Sequence, residues 1–390
     1  MKQAESGIAH NLEEAKAIVE KIGYPVLVRP SYVLGGRAME IVYDGDTFER
    51  FINEALFYSM NQTILIDRFL EDAIEVDIDV LGDGKNFVIG GILEHIEEAG
   101  IHSGDSAMCL PSFSLSKEVL SKIRESSLLM AKELKVVGLM NVQAAVKSSQ
   151  VYILEVNARA SRTIPFISKA IGVPLAKLAA KAMMGKTLDE IGFTKEVIPP
   201  YRCVKESVFP FNRFLGVDIM LGPEMRSTGE VMGIDKDFGS AYLKSQIAAY
   251  QFLPKTGNVF ISVKDRDKAK IASIAKDLKK LGFNIFATDG TAKVLQEKGV
   301  ETKILPKVNE GRPNVLDYLK NKDMHLIINT PSGRLPRKDE IIIRSTATLY
   351  NIPVITTIAG AIASVQAIED MHLEEMQVKS IQEYHKLIKK

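Results

Sequence analysis

Tyr24-Pro-Val-Leu-Val-Arg-Pro-Ser-Tyr-Val-Leu-Gly-Gly-Arg-Ala-Met39 is the stretch on which the reading of this chain turns. A β-branched run at residues 26–28 carries Arg29 into a loop ending Gly35-Gly36-Arg37, and a second apolar segment follows at residues 39–43. Strand, glycine hinge and returning strand, with cations at both ends of the loop, describe a hairpin with a flexible tip. Glycines let a backbone come close to a ligand, and guanidinium groups match phosphate oxygens, so the segment reads as a lid over a polyphosphate. A surface hairpin with two solvated arginines satisfies the same residues. No G-x-x-x-x-G-K-[ST] pattern occurs, so this is not a P-loop.

Outward from the lid, residues 11–22 read as a capped helix ending at Gly23, with the chain opening almost directly into it. A short helix is expected at 46–58, then strands at 64–66, 73–80 and 87–96. Ile74, Val76, Ile78 and Val80 alternate with Glu75, Asp77 and Asp79, and Asp83-Gly84 supplies a hairpin turn. Residues 115–134 read as a helix capped by Ser116, residues 136–147 and 151–157 as strands, and residues 161–184 as helical with a break at Gly172-Val173-Pro174. Residues 187–254 are less regular. From about residue 255 strands at 259–263, 284–288, 324–329 and 353–357 alternate with helices at 265–281, 291–298 and 359–371, the rhythm of a parallel sheet covered on both faces. The domain reading is therefore 1–186, 187–254 with a linker near 250–257, and 255–390.

At 390 residues the chain is expected to hold roughly two to three domains. Its 50 basic and 49 acidic residues argue against nucleic acid or an anionic membrane as the main partner. Apolar runs stay short of a membrane span and no signal sequence is visible. Cys109 and Cys203 lack metal or redox spacing, which fits reduced thiols in a cytoplasmic protein.

With a turn at Ser148-Ser149-Gln150, Lys147 pairs with Val151 and Gln143 stands opposite Glu155; alternation puts Asn157 on the same face. Three oxygen-bearing side chains then converge, the donor type that holds Mg²⁺ when phosphates complete its shell. A solvated sheet face is the plainer alternative, but Arg159 and Arg162 just downstream suit a transferring phosphoryl group. Residues 94–106, Glu-His-Ile-Glu-Glu-Ala-Gly-Ile-His-Ser-Gly-Asp-Ser, form a second polar segment and read as a substrate or nucleotide loop. Their spacing matches no zinc-ligand pattern.

Together these segments resemble the carboxy-terminal half of the carbamoyl phosphate synthetase large subunit. The resemblance rests on residues 28–39, Glu94-His-Ile-Glu97, His102-Ser-Gly-Asp-Ser106, Gly138-Leu-Met-Asn-Val-Gln143, Glu155-Val-Asn157, Thr163-Ile-Pro-Phe166, residues 221–233 and Glu310-Gly-Arg-Pro313. It implies an α/β chain, an α+β ATP-grasp domain followed by a Rossmann-like, methylglyoxal-synthase-like allosteric domain. It also implies a function: ATP-dependent phosphorylation of carbamate to carbamoyl phosphate, within a glutamine-dependent synthetase of arginine and pyrimidine biosynthesis. The implied partners are the first half of the large subunit, the glutaminase small subunit and a nucleoside monophosphate effector. The implied cofactors are ATP, Mg²⁺ or Mn²⁺, and K⁺ as a further cation.

Carried over position by position, the resemblance implies that Arg29, Gly35 and Gly36 contact phosphates. Arg68, Leu70 and Glu75 would contact nucleoside, and Gly100, Ile101, His102 and Ser103 would line its pocket. Gln143, Glu155 and Asn157 would hold metal, with Gln143 and Glu155 also serving the nucleotide, and Arg159 and Arg162 would be catalytic. Lys268, Thr288, Thr291, Lys307 and Asn329 fall on the effector positions, and Glu97, Asp105, Glu206 and Thr356 on those of an ornithine site. Three departures stand out: Ala158 in place of a proline, Pro331 in place of a threonine, and Val354 in place of a tyrosine. The family's first half and the domain and helix before the ATP-grasp region find no counterpart, so the chain alone is expected not to complete the glutamine-dependent reaction. An effector-binding assembly fragment without turnover, or another ATP-grasp carboxylate ligase, are the alternative readings.

Overall fold

The computed structural model describes residues 1–31, 36–59, 63–214, 216–330, 338–373 and 375–388. The chain divides into two compact units. One is Met1–Cys203 with Leu221–Arg226 and Val378–Lys390; the other is Val204–Met220 with Ser227–Gln377.

The first unit opens with β1 (Ser6–Ala9), α1 (Leu12–Ile22), β2 (Val26–Pro30), β3 (Glu40–Val42), α2 (Gly45–Tyr58) and β4 (Ile64–Arg68), the strands ordered β1-β4-β2-β3 in an antiparallel sheet. The expectation that a helix opens the chain is corrected, because β1 precedes α1. Four residues interrupted by a glycine are too short to carry an alternation signal, and Gly7 is needed there: a Cβ on it would stand 2.8 Å from Ile18. Asn11 caps α1 by accepting from the Glu14 amide, and Gly23 ends it at φ 78°. The helical spacing of Ala15, Val19 and Ile22 turns them onto the sheet, where Val26, Val28, Ile64 and Ile66 are also buried. Each large aliphatic side chain buried there contributes about 1.5–3 kcal/mol. Tyr32, Val33, Leu34 and Gly35 of the expected lid lie outside the described residues.

Next come β5 (Ile74–Asp83), β6 (Phe87–His95), β7 (Met108–Leu110), α3 (Lys117–Glu133), β8 (Val137–Lys147), β9 (Gln150–Asn157), α4 (Ile164–Ile171), α5 (Leu175–Met183) and α6 (Leu188–Ile191). Within this unit the strand order is β7-β6-β5-β8-β9. One sheet face is apolar: Val76, Ile78 and Val80 of β5 join Met140, Val142 and Ala144 of β8 and close on Val119, Ile123 and Ala131 of α3. On the other face, Gly90 and Gly91 admit the second helical layer, since a Cβ on either would stand 3.0 Å from Leu175 of α5 or Ile167 of α4. The helical break expected at 172–174 is present, with Gly172 left-handed at φ 69°.

The β8–β9 turn differs from expectation. Ser148 and Ser149, at φ 50° and 61°, make a two-residue turn, and Lys147 pairs with Gln150 rather than Val151. A bulge between Gln143 and Ala144 then absorbs Leu154 on the facing strand, and Gln143 pairs with Glu155 after all. The bulge also changes the phase of β9. Ile153 and Val156 both serve the core, so Glu155 and Asn157 are left on the polar face.

β10 (Arg202–Val208) leads into the second unit. There β11 (Gly229–Asp235) packs on α7 (Phe238–Ala248), capped by Asp237. The parallel sheet follows: β12 (Gly257–Ser262), α8 (Lys268–Lys280), β13 (Phe283–Ala287), α9 (Asp289–Glu297), β14 (Thr302–Ile304), α10 (Val315–Lys320), β15 (Leu326–Asn329), α11 (Lys338–Leu349), β16 (Val354–Ile355) and α12 (Ile358–Leu373). The strand order β14-β13-β12-β15-β16 winds outward in both directions from β12, so the switch point lies between β12 and β15. The expected helix at 265–281 begins with a 3-10 turn at Asp265–Asp267. β14, α10 and α11 gave no recognised sequence signal. The last helix, α13 (Ile381–His385), belongs to the first unit.

Candidate functional site

Of the lid, Arg29, Gly36 and Arg37 are among the described residues. Arg29 on β2 donates through Nε to Asp67 Oδ2 of β4 at 2.7 Å, which fixes the direction of the guanidinium. Burial raises the Asp67 carboxyl above its ordinary value, against the pull of Arg29. Gly36 lies at φ 70°, and a Cβ on it would stand 2.0 Å from the Pro223 carbonyl oxygen. Arg37 stacks 4.6 Å over the Tyr58 ring. The Arg68 guanidinium donates to the Ile22 carbonyl at the end of α1, and Leu70 accepts from the Ala73 amide at 3.3 Å.

The polar face of the large sheet carries two rows of side chains across three strands. Asp77, Gln143 and Glu155 form one row, and Asp79, Asn141 and Asn157 the other. Asp77 and Asp79 are buried rather than solvated. Asp77 accepts from His95 Nε2 at 2.8 Å, Asn141 Nδ2 at 3.0 Å and Gln143 Nε2 at 3.5 Å. Burial works to raise its pKa, but the His95 bond and charge and the two amides outweigh burial and hold the carboxylate ionised. Asp79 goes the other way. Burial pushes it up to about 6, although Ser161, Thr163 and Asn141 donate to it, and the Asp77 charge adds to the rise.

At the open edge of this face Glu155 is exposed and accepts from Asn157 Nδ2 at 2.8 Å. Arg159 and Arg162 are exposed just beyond, Arg159 donating to the Ala160 carbonyl and Arg162 to Met225 Sδ. Gln143, Glu155 and Asn157 are thus brought together, as the expected register requires. The set is one carboxylate and two amide carbonyls, oxygen chemistry that suits a hard divalent cation with part of its shell supplied by a ligand. Among the described residues no group of three His, Cys, Asp or Glu side chains is arranged for a metal, so the 94–106 segment shows no zinc-type cluster.

That segment splits into two parts. Glu94 and His95 are the buried end of β6. Glu94 accepts from the amides of Phe113 and Ser114 at 2.9 and 3.0 Å and from both serine hydroxyls at 112 and 114, so it braces a turn. His95 also lies 3.7 Å from Glu75 Oε2. Glu75 accepts from the Gly100 amide at 2.9 Å, and burial raises its pKa. Ile101 is buried, and Ser103 and Glu97 are half-buried. The His102 amide donates to the Gly222 carbonyl at 2.8 Å, and its Nδ1 accepts from the Gly104 amide at 3.0 Å. Burial lowers the His102 pKa; Arg162 adds to that and Asp105 opposes it. Asp105 accepts from the Arg226 amide at 2.6 Å. Residues 221–226 thus line the loop, a role sequence reasoning gave only to the motif as a whole. Asn141, Asp77, Asp79 and Thr163 were not singled out as site residues; the period-2 alternation of β5 is the signal that points to the two aspartates.

In the second unit Thr288, Thr291 and Asn329 gather at the carboxyl ends of parallel strands. Thr288 Oγ1 is 3.3 Å from Ser262 Oγ, Thr291 Oγ1 accepts from the Val263 amide at 3.4 Å, and Asn329 Nδ2 donates to the Ser262 carbonyl at 2.8 Å. Lys268 Nζ pairs with Asp265 at 2.7 Å, and a Cβ on Gly290 would stand 3.1 Å from that nitrogen. Lys307 is exposed and pairs with Glu310 at 2.9 Å. Pro331 lies outside the described residues, but Thr330 is buried and accepts from the Lys264 amide at 3.0 Å. Glu206 accepts from Gln246, and Thr356 is half-buried; both belong to this unit, whereas Glu97 and Asp105 belong to the first.

Residues 1–191 match the family described as carbamoyl-phosphate synthase L chain, ATP binding domain, and residues 270–356 match the MGS-like domain. The carbamoyl phosphate synthase large chain of Archaeoglobus fulgidus is 57% identical over 98% of this chain and 36% of its own length. The carbamoyl phosphate synthase large chain, C-terminal section, of Aquifex aeolicus is 50% identical over 99% of this chain and 76% of its own length. The chain thus spans about a third of the full-length relative and most of the separate section. Among solved structures, Campylobacter jejuni biotin carboxylase in a complex with β,γ-ATP superposes with a TM-score of 0.52 at 16% identity, covering 64% of this chain and 62% of that one. At that identity the shared property is the fold, an ATP-grasp architecture. No helix among the described residues is long and apolar enough to cross a membrane.

Proposed function

This chain belongs to the carbamoyl phosphate synthase large-chain family, and on that premise we propose that its first unit phosphorylates carbamate with ATP to give carbamoyl phosphate. The observation that carries the reading is the row Asp77, Gln143 and Glu155 beside Asn157, with Arg159 and Arg162 at its edge. Gln143, Glu155 and Asn157 would hold Mg²⁺ or Mn²⁺, which when bound supplies charge neutralisation for the phosphate oxygens. Asp77 accepts from the Gln143 amide nitrogen, which leaves the Gln143 carbonyl oxygen for the cation. Arg159 and Arg162 would offset the charge of the transferring group, and Arg29, oriented by Asp67, would hold phosphate with Gly35 and Gly36 of the lid. Glu75, Arg68 and Leu70 would receive the nucleoside, with Gly100, Ile101, His102 and Ser103 along its edge. No protein nucleophile is required, because phosphoryl transfer depends on positioning and charge.

The wider reading places this chain with the first half of the large chain and a glutaminase subunit, in the cytoplasm, with K⁺ as an additional cation. The second unit would bind a nucleoside monophosphate through Lys268, Thr288, Thr291, Lys307 and Asn329, in the crevice that parallel sheets form at a switch point.

The deciding assay is Mg²⁺-dependent ATP formation from ADP and carbamoyl phosphate by the full chain, alone and mixed with the first half. ATP formation that Glu155→Gln removes supports the assignment. ATP formation within twofold of the parent in that variant refutes it.

A further inference from the structure

The three arginines proposed to meet phosphate are held in three different ways. Arg29 is held by the Asp67 carboxylate, 2.7 Å from Nε, which offsets part of its charge. Arg159 donates to the Ala160 carbonyl. Arg162 meets a sulfur: its Nη1 donates to Met225 Sδ. A thioether is a neutral, polarizable and weak acceptor, so it gives a guanidinium a direction without offsetting its charge. A carboxylate in the same place would do both.

Met225 is itself fixed from both sides, by residues that all belong to the first unit. Gly222 accepts from the His102 amide at 2.8 Å, and the Arg226 amide donates to Asp105 Oδ2 at 2.6 Å, so the main chain around Met225 is pinned to the 102–106 loop. Gly104 completes the fit. A Cβ on it would stand 2.9 Å from Arg162 Nη1, 3.0 Å from His102 Nδ1 and 3.2 Å from Met225 Sδ. Guanidinium, imidazole and sulfur therefore converge on a position that only a bare backbone allows. Met225 is 37% exposed, so burial in a core does not account for its place.

We propose that Met225 is a positioning residue for Arg162: its sulfur aims the guanidinium at the transferring phosphoryl group and leaves the positive charge whole. The consequence for turnover rests on the function proposed above; the Met225–Arg162 contact does not.

Substitutions at Met225 in the full chain, assayed for Mg²⁺-dependent ATP formation from ADP and carbamoyl phosphate, separate direction from charge. Met225→Leu keeps the bulk but offers no acceptor, and should lower kcat about tenfold while the KM for ADP stays within about threefold. Met225→Gln supplies a neutral acceptor of similar length and should recover most of what leucine loses. Met225→Glu accepts but also neutralises, and should fall below Met225→Leu. Against the residual rate of Arg162→Ala, Met225→Leu should cost less than about twofold, a non-additivity that a merely structural role would not produce. Nitrogen-15 spectra of the arginine-labelled chain give a readout apart from activity. The Arg162 guanidinium nitrogens should be resolved in the parent and in Met225→Gln, and averaged by rotation in Met225→Leu. Parental kcat in Met225→Leu, or equal losses with and without Arg162, overturns the positioning role. A parent that forms no ATP, alone or with the first half, refutes the phosphoryl-transfer reading instead, and Arg162 spectra identical in parent and Met225→Leu then overturn the contact.

Discussion

In the first unit the polar groups ride on strand faces: Asp77, Gln143 and Glu155 stand side by side across three antiparallel strands, held by register. In the second unit Thr288 and Asn329 stand where parallel strands stop, each bonded to Ser262 at the end of β12. A face-borne group is placed by every residue pair in the hairpin, so its position is stiff and its chemistry narrow. An end-borne group is placed by a few loop residues, so what it binds can change without rebuilding the sheet.

The largest effect is expected on the face. Glu155→Gln should cost at least about a hundredfold in Mg²⁺-dependent phosphoryl transfer, because the remaining donors are neutral. The side chain is exposed, so melting should barely move. A large fall in Tm together with activity would mean that the face is structural, and the contrast between the two units would collapse. At the strand ends, Lys307→Ala should weaken nucleoside monophosphate binding by about 1.5–3 kcal/mol, the worth of a charge-assisted hydrogen bond. Calorimetry decides, and unchanged binding would remove Lys307 from the pocket.

The lid sharpens the comparison, since it belongs to the first unit yet depends on a loop. Gly36→Ala would bring a Cβ to 2.0 Å from the Pro223 carbonyl at a left-handed φ, a clash between backbone and Cβ that no side-chain rotation relieves. A rise in the KM for ATP of roughly tenfold, with kcat less affected, is the expected outcome in steady-state kinetics.

The smallest effect separates two neighbours on β5. Asp79 is raised to about 6 in the fold, so its contribution to stability is present below about pH 4 and is lost as pH rises through 6. Asp79→Asn should flatten stability between pH 4 and 7 and add on the order of 1 kcal/mol at pH 8, read by urea unfolding. Asp77, held low by His95, should show the reverse: Asp77→Asn should destabilise at neutral pH.

Much of this was legible because it depends on period. The alternation of residues 74–80 assigned Asp77 and Asp79 to one face, and Gln143, Glu155 and Asn157 met as expected. What the chain did not disclose is what covers that face. Asn141, His95 and Thr163 bond the two aspartates from distant positions, and both carboxyls are interior. The turn expected over 148–150 is one residue shorter, because two serines at positive φ carry no glycine signature to mark a two-residue turn. The Asp218–Arg344 pair joins residues far apart through a segment with no period at all, which leaves a linear reading nothing to count.

The bulge at Leu154 bears on how this hairpin tolerates changes in length. Without Leu154 the strand would alternate regularly, Glu155 still opposite Gln143 and still turned from the core, so one residue can be gained or lost there without inverting the donors. Spacing counted forward from the turn is therefore a poor guide to whether a related chain keeps this cluster. Spacing between the donors themselves, Glu155 to Asn157 and Asn141 to Gln143, is the invariant that an insertion at the bulge leaves intact.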